Sequence, residues 1–152
     1  MRSTKGLLNE IKISYTPVEG IEKVGSISNS MQAYTHFMKF YDKQTITCQE
    51  QIIVMYLNRA NKPIGVIPLF KGGLSSTIVD LKLIMSIALK SLACGIIISH
   101  NHPSGNLEVS EEDKRITRRL KEACTIMEMS LIDHLIVTPT GSYLSFADEG
   151  IL

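Results

Sequence analysis

The chain has 152 residues and a formal net charge of +1 at pH 7. A chain of this length forms one domain and buries roughly 70% of its unfolded surface, so one sizeable core is available without disulfide or metal staples. The near-neutral charge provides no overall field that would attract nucleic acid or an anionic membrane. No apolar run approaches the ~20 residues that span a bilayer, and the N-terminus has no signal-peptide core.

The three cysteines indicate a reducing compartment. Cys48, Cys94 and Cys124 are an odd number, are widely spaced and form no Cys-x-x-Cys pair. We therefore expect reduced, mostly buried thiols in a cytoplasmic protein.

The first third of the chain predicts an extension followed by a helix. Residues 1–26 form the extension, in which the weak alternation from Leu7 to Tyr15 is compatible with an edge strand and Thr16 to Gly25 is loop-like. Ser28 or Asn29 is the predicted N-cap of a helix through about Tyr41. Its apolar stripe has helical spacing and comprises Met31, Tyr34, Phe37, Met38 and Tyr41. We interpret His36, within this helix, as a surface or packing residue.

The middle of the chain predicts a hairpin and a second helix. Gln51–Leu57 is a strand, Asn58–Pro63 a turn and Ile64–Phe70 the return strand. Lys71-Gly72-Gly73 lacks the spacing of a phosphate-binding loop and is interpreted as a flexible loop. The second helix runs from Val79 to Leu92, with an apolar stripe formed by Leu83, Ile84, Ile87, Ala88 and Leu92.

The second half adds three strands and one helix. Gly95-Ile96-Ile97-Ile98 is short, apolar and mostly β-branched, which is typical of a buried strand. A helix from Ser110 to Met129 follows, and then strands Leu131–Val137 and Tyr143–Phe146 joined through Pro139-Thr140-Gly141. The residues that this helix is predicted to bury are Ile116, Leu120, Ala123 and Met127. The whole pattern predicts a mixed α/β domain.

Two histidines and an aspartate after the Gly95–Ile98 strand form a candidate metal site. His100 and His102 are two residues apart, so on a strand both imidazoles point to one face. The turn at Pro103-Ser104-Gly105 and a helix capped by Ser110 would return Asp113 to them. Two imidazoles and one carboxylate are a ligand set of catalytic zinc. Spacing alone leaves a second interpretation open, in which these are loop histidines beside a capped helix.

The same residues resemble the motif of the JAB/MPN+ (JAMM) metallohydrolases, His100-x-His102-Pro103 followed by Ser110-x-x-Asp113. The longer string from His100 to Gly105, with Asp133-His134-Leu135-Ile136-Val137 later, is similar to the RadC-like branch of that family. The resemblance runs over residues 27–152. It implies an α/β fold of cytidine-deaminase-like JAB/MPN architecture, in which about three helices flank a mixed, mostly antiparallel sheet.

The resemblance also implies a general base, which the sequence pattern alone does not select. The family places its catalytic glutamate immediately before an apolar strand, and Glu50 has that position ahead of Gln51–Leu57. From periodicity alone the candidates are Glu50, Asp80, Glu108, Glu111, Glu112 and Asp133.

By resemblance, His100, His102 and Asp113 hold Zn²⁺, and Glu50 takes a proton from the metal-bound water that attacks a carbonyl carbon. Ser110 would donate to the oxyanion, an assignment that we weigh equally with a plain N-cap. The reaction implied is hydrolysis of an amide or isopeptide bond in a peptide or protein substrate.

Two other functions compete with this hydrolase. One is a DNA-associated repair or accessory protein without hydrolase activity, and the other is a metal-dependent nuclease. The basic residues that could meet phosphates are Lys114, Arg115, Arg118, Arg119 and Lys121. A Glu111–Arg115 pair at i,i+4 and the absence of interleaved aromatic residues favour an ordinary solvated helix face.

Three further positions receive weaker interpretations. His134 is expected to be a structural histidine paired with Asp133 rather than a fourth metal ligand. Asn101 and Ser104 either touch the substrate or only shape the turn, and we favour the turn. Full-length RadC-like proteins usually carry an N-terminal helix-hairpin-helix region, for which this chain is too short. The chain also has Val109 in place of a frequent proline, and Leu81-Lys82-Leu83 where relatives often have Pro-Arg-Glu.

Overall fold

The structure is a computed structural model that describes residues 16, 18–72 and 78–152. The predicted edge strand over Leu7–Tyr15 lies outside these residues. In chain order the described elements are a short 3₁₀ helix Ile21–Lys23, α1 Ser30–Phe37, β1 Gln51–Leu57, β2 Pro63–Lys71, α2 Leu81–Lys90, β3 Gly95–Asn101, α3 Glu111–Ile126, β4 Ser130–Val137 and β5 Tyr143–Ser145. Among the described helices, none combines the length and apolarity needed to cross a membrane.

The described strands form one sheet in the order β2-β1-β3-β4-β5. The β3–β4 pair is parallel and the other three pairs are antiparallel. The prediction of a mixed, mostly antiparallel sheet with three helices is therefore confirmed. Every residue of the central strands β1 and β3 is buried, because both faces of the sheet are covered, and this accounts for their continuous apolar sequences.

Helices cover the two faces of the sheet unequally. On one face α1 packs on alternate strand residues such as Ile53, Met55 and Ile97. On the other face α2 and α3 pack on the intervening residues, among them Val54 and Ile98. The alternation of side chains along each strand separates these two apolar clusters.

The antiparallel pairing of β1 with β3 positions the site. Ile52, near the start of β1, is opposite His100, near the end of β3. The residues just before β1 and those at the end of β3 therefore lie next to each other at one end of the sheet. Glu50 and His100, for example, are 50 positions apart in the chain.

Helix α1 is shorter than predicted. Its N-cap is Asn29, whose side chain accepts a hydrogen bond from the Gln32 amide, but the helix ends at Phe37 rather than near Tyr41. Tyr41 is nevertheless buried in the apolar cluster on the α1 face of the sheet. Its hydroxyl shares a hydrogen bond of 2.7 Å with Ser99 Oγ. Met31 is 55% exposed, so its assignment to the core stripe was wrong.

Helices α2 and α3 begin near the predicted residues but bury different faces. In α2, Ile84 and Ala88 are buried, whereas Leu83 and, just beyond the helix, Leu92 are exposed. Helix α3 buries Leu120 as predicted but not Met127. Its observed buried residues are Asp113, Thr117, Leu120 and Cys124. Polar side chains occupy half of this buried face because they hydrogen-bond at the site described below, which apolar periodicity does not reveal.

The cysteines are free, as predicted, but the prediction that most are buried was wrong. Cys48 and Cys94 are exposed and only Cys124 is buried. Burial raises the pKa of the Cys124 thiol to about 11, so this thiol is a poor nucleophile at neutral pH.

Candidate metal centre

Three side chains from two elements converge at the end of β3. His100 Nε2 lies 3.0 Å from His102 Nε2 and 3.1 Å from Asp113 Oδ1, and His102 Nε2 lies 3.5 Å from Asp113 Oδ2. His100 is almost fully buried and His102 is half-buried. The turn between the strand and α3 forms as predicted, since the Gly105 amide bonds the His102 carbonyl at 3.0 Å and Gly105 has a φ of +83°.

These distances bring three ligand atoms close enough to share one metal ion. Ligand atoms that each lie 2.0–2.2 Å from a tetrahedral zinc are separated from one another by about 3.3–3.5 Å. The two imidazole nitrogens are 3.0 Å apart and lie 3.1 and 3.5 Å from different oxygens of Asp113, and one ligand atom from each of the three residues lies within 4.8 Å of the others. The donor set of two imidazole nitrogens and one carboxylate also suits zinc. The three side chains are thus a candidate ligand set for one metal ion.

The outer nitrogen of His102 supports the same conclusion. His102 Nδ1 lies 2.8 Å from the Asn106 carbonyl oxygen. A carbonyl only accepts hydrogen bonds, so Nδ1 carries a proton and donates it. When the imidazole is neutral, the lone pair on Nε2 is then directed at Asp113 and His100, as a metal ligand requires.

The outer nitrogen of His100 contacts a third histidine. His100 Nδ1 lies 2.7 Å from His134 Nε2, and His134 Nδ1 lies 2.6 Å from Thr117 Oγ1. Burial, with His100 alongside, lowers the pKa of His134 well below its usual value. His134 is therefore held neutral, and His100 and Thr117 occupy both of its ring nitrogens.

The predicted pairing of His134 with the Asp133 side chain was wrong. Successive strand residues point to opposite faces of the sheet, so the carboxylate of Asp133 lies across the sheet from the His134 ring. There Asp133 accepts hydrogen bonds from Ser145 Oγ and from the His134 and Ala147 amides. Burial raises the pKa of Asp133.

A reciprocal cap at the start of α3 positions the Asp113 carboxylate. The Asp113 amide donates to Ser110 Oγ at 3.0 Å, and the Ser110 amide donates to Asp113 Oδ2 at 2.9 Å. This is a capping box, in which the first turn of a helix and its N-cap satisfy each other's amides. The prediction that Ser110 is the N-cap is confirmed, and the cap directs Asp113 Oδ1 at His100.

The pKa values of Asp113 and His102 are both shifted at this site. Burial alone would raise the pKa of Asp113, but the neighbouring His100 and His102 imidazoles outweigh it and hold that pKa well below its usual range. The hydrogen bond to Asp113 in turn raises the pKa of His102, against the opposing effect of burial. The pocket is therefore built to hold positive charge, as a proton or as a metal ion.

Glu50 lies on the wall of the same cavity, which has a volume of about 200 Å³. Burial raises the pKa of its carboxyl group, an effect that Asp113 reinforces and the nearby histidines oppose. Ser110 and Glu112 also line this cavity, and its apolar wall is formed by Ile52, Val79, Ile98 and Ile116. The structure thus places Glu50, the general base that the resemblance implied, on the same cavity as the three candidate metal ligands.

The remaining candidate carboxylates have other partners. Asp80 caps α2 through the Lys82 and Leu83 amides, and Glu108 is exposed. Glu111 pairs with Lys114 and Glu112 with Arg115 at i,i+3, so the predicted Glu111–Arg115 pair was wrong. His36 is half-buried on α1, on the opposite side of the sheet from α3.

Asn101 and Thr117 contribute to the site in ways that the sequence analysis missed. The buried side chain of Asn101 donates to the Ile46 and Gln49 carbonyls and accepts from the Gln51 amide at 2.6 Å. It therefore anchors the backbone on both sides of Glu50, and the prediction that it shapes the turn was wrong. Its position between two strand histidines was the available signal, because alternation directs it to the opposite face. Ser104 does contact the turn, accepting from the Asn106 amide.

Comparisons with known proteins agree with this geometry. The sequence model of the RadC-like JAB domain matches residues 27–151. A UPF0758 protein of Flavobacterium johnsoniae is 41% identical over 133 residues, which are 88% of this chain and 56% of that protein. A UPF0758 protein of Porphyromonas gingivalis is 41% identical over 136 residues, 90% of this chain and 59% of that protein. A UPF0758 protein of Aquifex aeolicus is 36% identical over 127 residues. The chain thus spans a little over half the length of these relatives, whose names state no activity.

Proposed function

The chain belongs to the family of RadC-like JAB domains, and from that premise we propose that it is a zinc-dependent hydrolase of amide bonds, a peptidase or isopeptidase. The observation that carries the proposal is the convergence of His100, His102 and Asp113 on one point of the cavity that Glu50 also lines. In this proposal the substrate is a peptide or protein.

The three ligands would hold the ion through two neutral nitrogens and one negative oxygen. When bound, zinc supplies Lewis-acid polarisation of a carbonyl group and lowers the pKa of a water ligand towards ~7. The Asp113 carboxylate, which stays ionised at neutral pH because its pKa is depressed, supplies the negative charge. The ring orientation of His102 is held from behind by the Asn106 carbonyl.

Glu50 is the proposed general base. Its carboxyl group lies at the cavity wall and its pKa is raised by burial, which moves it towards neutral pH. A base is most effective when its pKa is close to the working pH, because it is then ionised and still a good proton acceptor. The same carboxyl group, once protonated, would deliver the proton to the leaving amine.

Ser110 is the proposed donor to the oxyanion. Its Oγ accepts from the Asp113 amide through a lone pair, and its hydroxyl proton is left to donate towards the cavity that it lines. A preorganised donor where negative charge develops stabilises the transition state. The two roles weighed for Ser110, N-cap and donor, are thus compatible in one side chain.

Metal content and hydrolysis together test this function. We expect about one zinc per chain in the wild type and in Glu50→Gln, and loss of zinc in His102→Ala. Removal of a general base typically lowers the rate by about 10²–10⁴-fold, so Glu50→Gln should bind zinc but fail to cleave peptide and isopeptide libraries. The matched control is Glu112→Gln, which alters a second carboxyl group on the same cavity and should cleave at close to the wild-type rate.

Two results would contradict the proposal. A wild-type chain that takes up no zinc after resupply lacks the metal centre and would be better tested as a DNA- or protein-binding module. A zinc-loaded chain that cleaves DNA but no amide bond, with the cleavage abolished in Glu50→Gln, would make it a nuclease.

A further inference from the structure

A continuous chain of hydrogen bonds links two of the metal-site residues, His100 and Asp113, through His134 and Thr117. It runs from His100 Nδ1 to His134 Nε2 over 2.7 Å, from His134 Nδ1 to Thr117 Oγ1 over 2.6 Å, and from Thr117 Oγ1 to the Asp113 carbonyl over 2.6 Å. Its members come from β3, β4 and α3, and all of them are buried. We propose that His134 and Thr117 are positioning residues that set the tautomer of His100, so that its Nε2 presents a lone pair to the metal.

The direction of the chain is determined at the Thr117–Asp113 end. Two oxygen atoms 2.6 Å apart have a proton between them, and a backbone carbonyl cannot supply one. The Thr117 hydroxyl therefore donates to the Asp113 carbonyl. A hydroxyl has one proton, so towards His134 it offers only lone pairs.

The proton positions on both histidines follow from that direction. His134 Nδ1 faces a lone pair of Thr117 and therefore carries a proton. The ring of His134 is only 2% exposed, which disfavours the doubly protonated cation. Its Nε2 is then unprotonated and accepts from His100 Nδ1. His100 is left with its lone pair on Nε2, the atom that faces His102 and Asp113.

The hydrogen bond made by His100 Nδ1 has a different kind of acceptor from the one made by His102 Nδ1. The second nitrogen of a metal-binding histidine usually donates to a carboxylate, a backbone carbonyl or water, as His102 does to Asn106. His100 instead donates to the neutral imidazole of His134. His134 Nε2 can accept this hydrogen bond in only one of the two neutral tautomers, the one protonated on Nδ1. Thr117 is needed to select that tautomer, and without it His134 is free to place a proton where His100 needs an acceptor.

The inference rests on the proposed metal site but not on hydrolysis, and it is tested without an activity assay. Long-range ¹H–¹⁵N correlation spectra of the labelled full chain, with one equivalent of zinc, distinguish the two neutral tautomers of each histidine from the cation. We expect His134 and His100 to be neutral and protonated on Nδ1, with signals assigned by His134→Gln and His36→Gln. A His134 that is protonated on Nε2, or on both nitrogens, would overturn the inference.

Zinc affinity of a matched pair of Thr117 variants provides the second measurement. Thr117→Val has nearly the same shape but no hydroxyl, and Thr117→Ser keeps the hydroxyl. Loss of such outer-shell partners typically weakens metal binding about 10–100-fold, so Thr117→Val should raise the zinc Kd by that factor. Thr117→Ser should stay within about threefold of wild type. Competition with a chromophoric chelator measures both, and circular dichroism verifies that both variants are folded.

The outcomes separate this inference from the proposed function. Equal zinc affinities for wild type and Thr117→Val would overturn the inference alone. Failure of the wild type to bind zinc would overturn the proposed function, and a wild type that binds zinc with the expected tautomers but cleaves no amide bond would leave only the inference standing. If Thr117→Val does not fold, the wild-type spectra alone decide the matter.

Discussion

At the scale of single residues, the capacity of the site for a cation depends on which nitrogen atoms carry protons. His100 Nε2 and His102 Nε2 are 3.0 Å apart and both face Asp113. Two lone pairs at that distance repel unless a positive charge lies between or beside them. In the metal-free chain a proton on His102 supplies such a charge more readily than in a free histidine, because the hydrogen bond to Asp113 raises the pKa of His102.

Zinc affinity is therefore expected to depend on pH through His102. Below the raised pKa of His102 in the metal-free chain, zinc has to displace a proton from Nε2, so the affinity should fall by about tenfold per pH unit. Above that pKa no proton is displaced and the affinity should level off. Asp113 stays ionised throughout because its pKa is depressed, and it contributes no proton in this range.

Chelator competition from about pH 5 to about pH 8 measures this dependence. The bend in the curve should lie above the ordinary histidine pKa of 6.5. His36→Gln is the control for the histidine on α1, and it should leave the curve unchanged. An affinity that is constant below the bend would show that no histidine proton is displaced.

At the scale of elements, the capped start of α3 contributes both to the stability of the helix and to the proposed chemistry of the site. The capping box between Ser110 and Asp113 satisfies two amides of the first helical turn and holds a metal-site carboxylate in place. A change in the cap should therefore affect both the stability of the helix and the chemistry. At α1, by contrast, Asn29 caps a helix on the other face of the sheet.

Replacement of these two caps by alanine should separate the effects. Loss of a Ser or Asn N-cap costs typically about 1 kcal/mol in the free energy of unfolding, so urea denaturation should show similar losses for Ser110→Ala and Asn29→Ala. Only Ser110→Ala should also lower amide hydrolysis, by about 10²–10³-fold if its hydroxyl serves the oxyanion. Equal rates for the two variants would show that Ser110 is a cap alone.

The end of β3 and the segment before β1 are joined by Asn101. Its amide group bonds the backbone at Ile46, Gln49 and Gln51, on both sides of Glu50. The strand that carries both histidines thus also carries the group that places the proposed base. A shift in either segment would be transmitted to the other, since two of these bonds are buried and the third is partly buried.

Asn101→Ala should destabilise the chain and displace Glu50 while leaving the metal ligands in place. The variant leaves the Gln51 amide and two carbonyl oxygens without their hydrogen-bond partner. This should lower the free energy of unfolding by about 2–3 kcal/mol, measurable by urea denaturation. Zinc affinity should change little and hydrolysis should fall. Ser104→Ala, in the exposed part of the turn, should stay within about 0.5 kcal/mol of wild type. Loss of zinc binding in Asn101→Ala would show that Asn101 supports the ligands rather than the base.

At the scale of the whole molecule, the apolar core consists of residues other than the candidate metal ligands. Two apolar clusters, one on each face of the sheet, contain the large buried side chains, among them Phe37, Ile53 and Leu120. The metal-site residues lie at one end of this sheet and contribute no apolar core. Every buried polar side-chain atom among the described residues has a hydrogen-bond partner, so the metal-free chain has no unsatisfied buried group there.

Removal of metal should therefore leave a folded chain of lower stability. An ion that binds only the native state stabilises it by about 2.7 kcal/mol at a free concentration of 100 times its Kd. Urea denaturation of chelator-treated protein should show a cooperative transition that moves to higher urea with zinc. His102→Ala should give the same transition without the shift. An unfolded chelator-treated chain would contradict this prediction and make the metal part of the core.

The sequence by itself determined the order and type of the described helices and strands and indicated the candidate metal ligands. The continuous apolar runs before His100 and after Glu50 indicated the two central strands. A strand that is buried on both faces has apolar residues at every position, and such a run is easy to recognise in the sequence. The spacing of His100, His102 and Asp113 and the cap at Ser110 are local properties, readable along one strand and one helical turn. These features, with the resemblance to the JAMM motif, were sufficient for the fold class and the candidate centre.

Only the tertiary structure decided the surroundings of those residues. The partner of His134 is His100 and not its neighbour Asp133, because adjacent strand residues face opposite sides of the sheet and the parallel β3–β4 pairing brings the two histidines together. Thr117 and Asn101 acquired their roles from contacts across 17 and 50 or more positions. Hydrogen bonds between distant segments leave no periodic signal, since polar residues in buried positions look the same in sequence as polar residues in water.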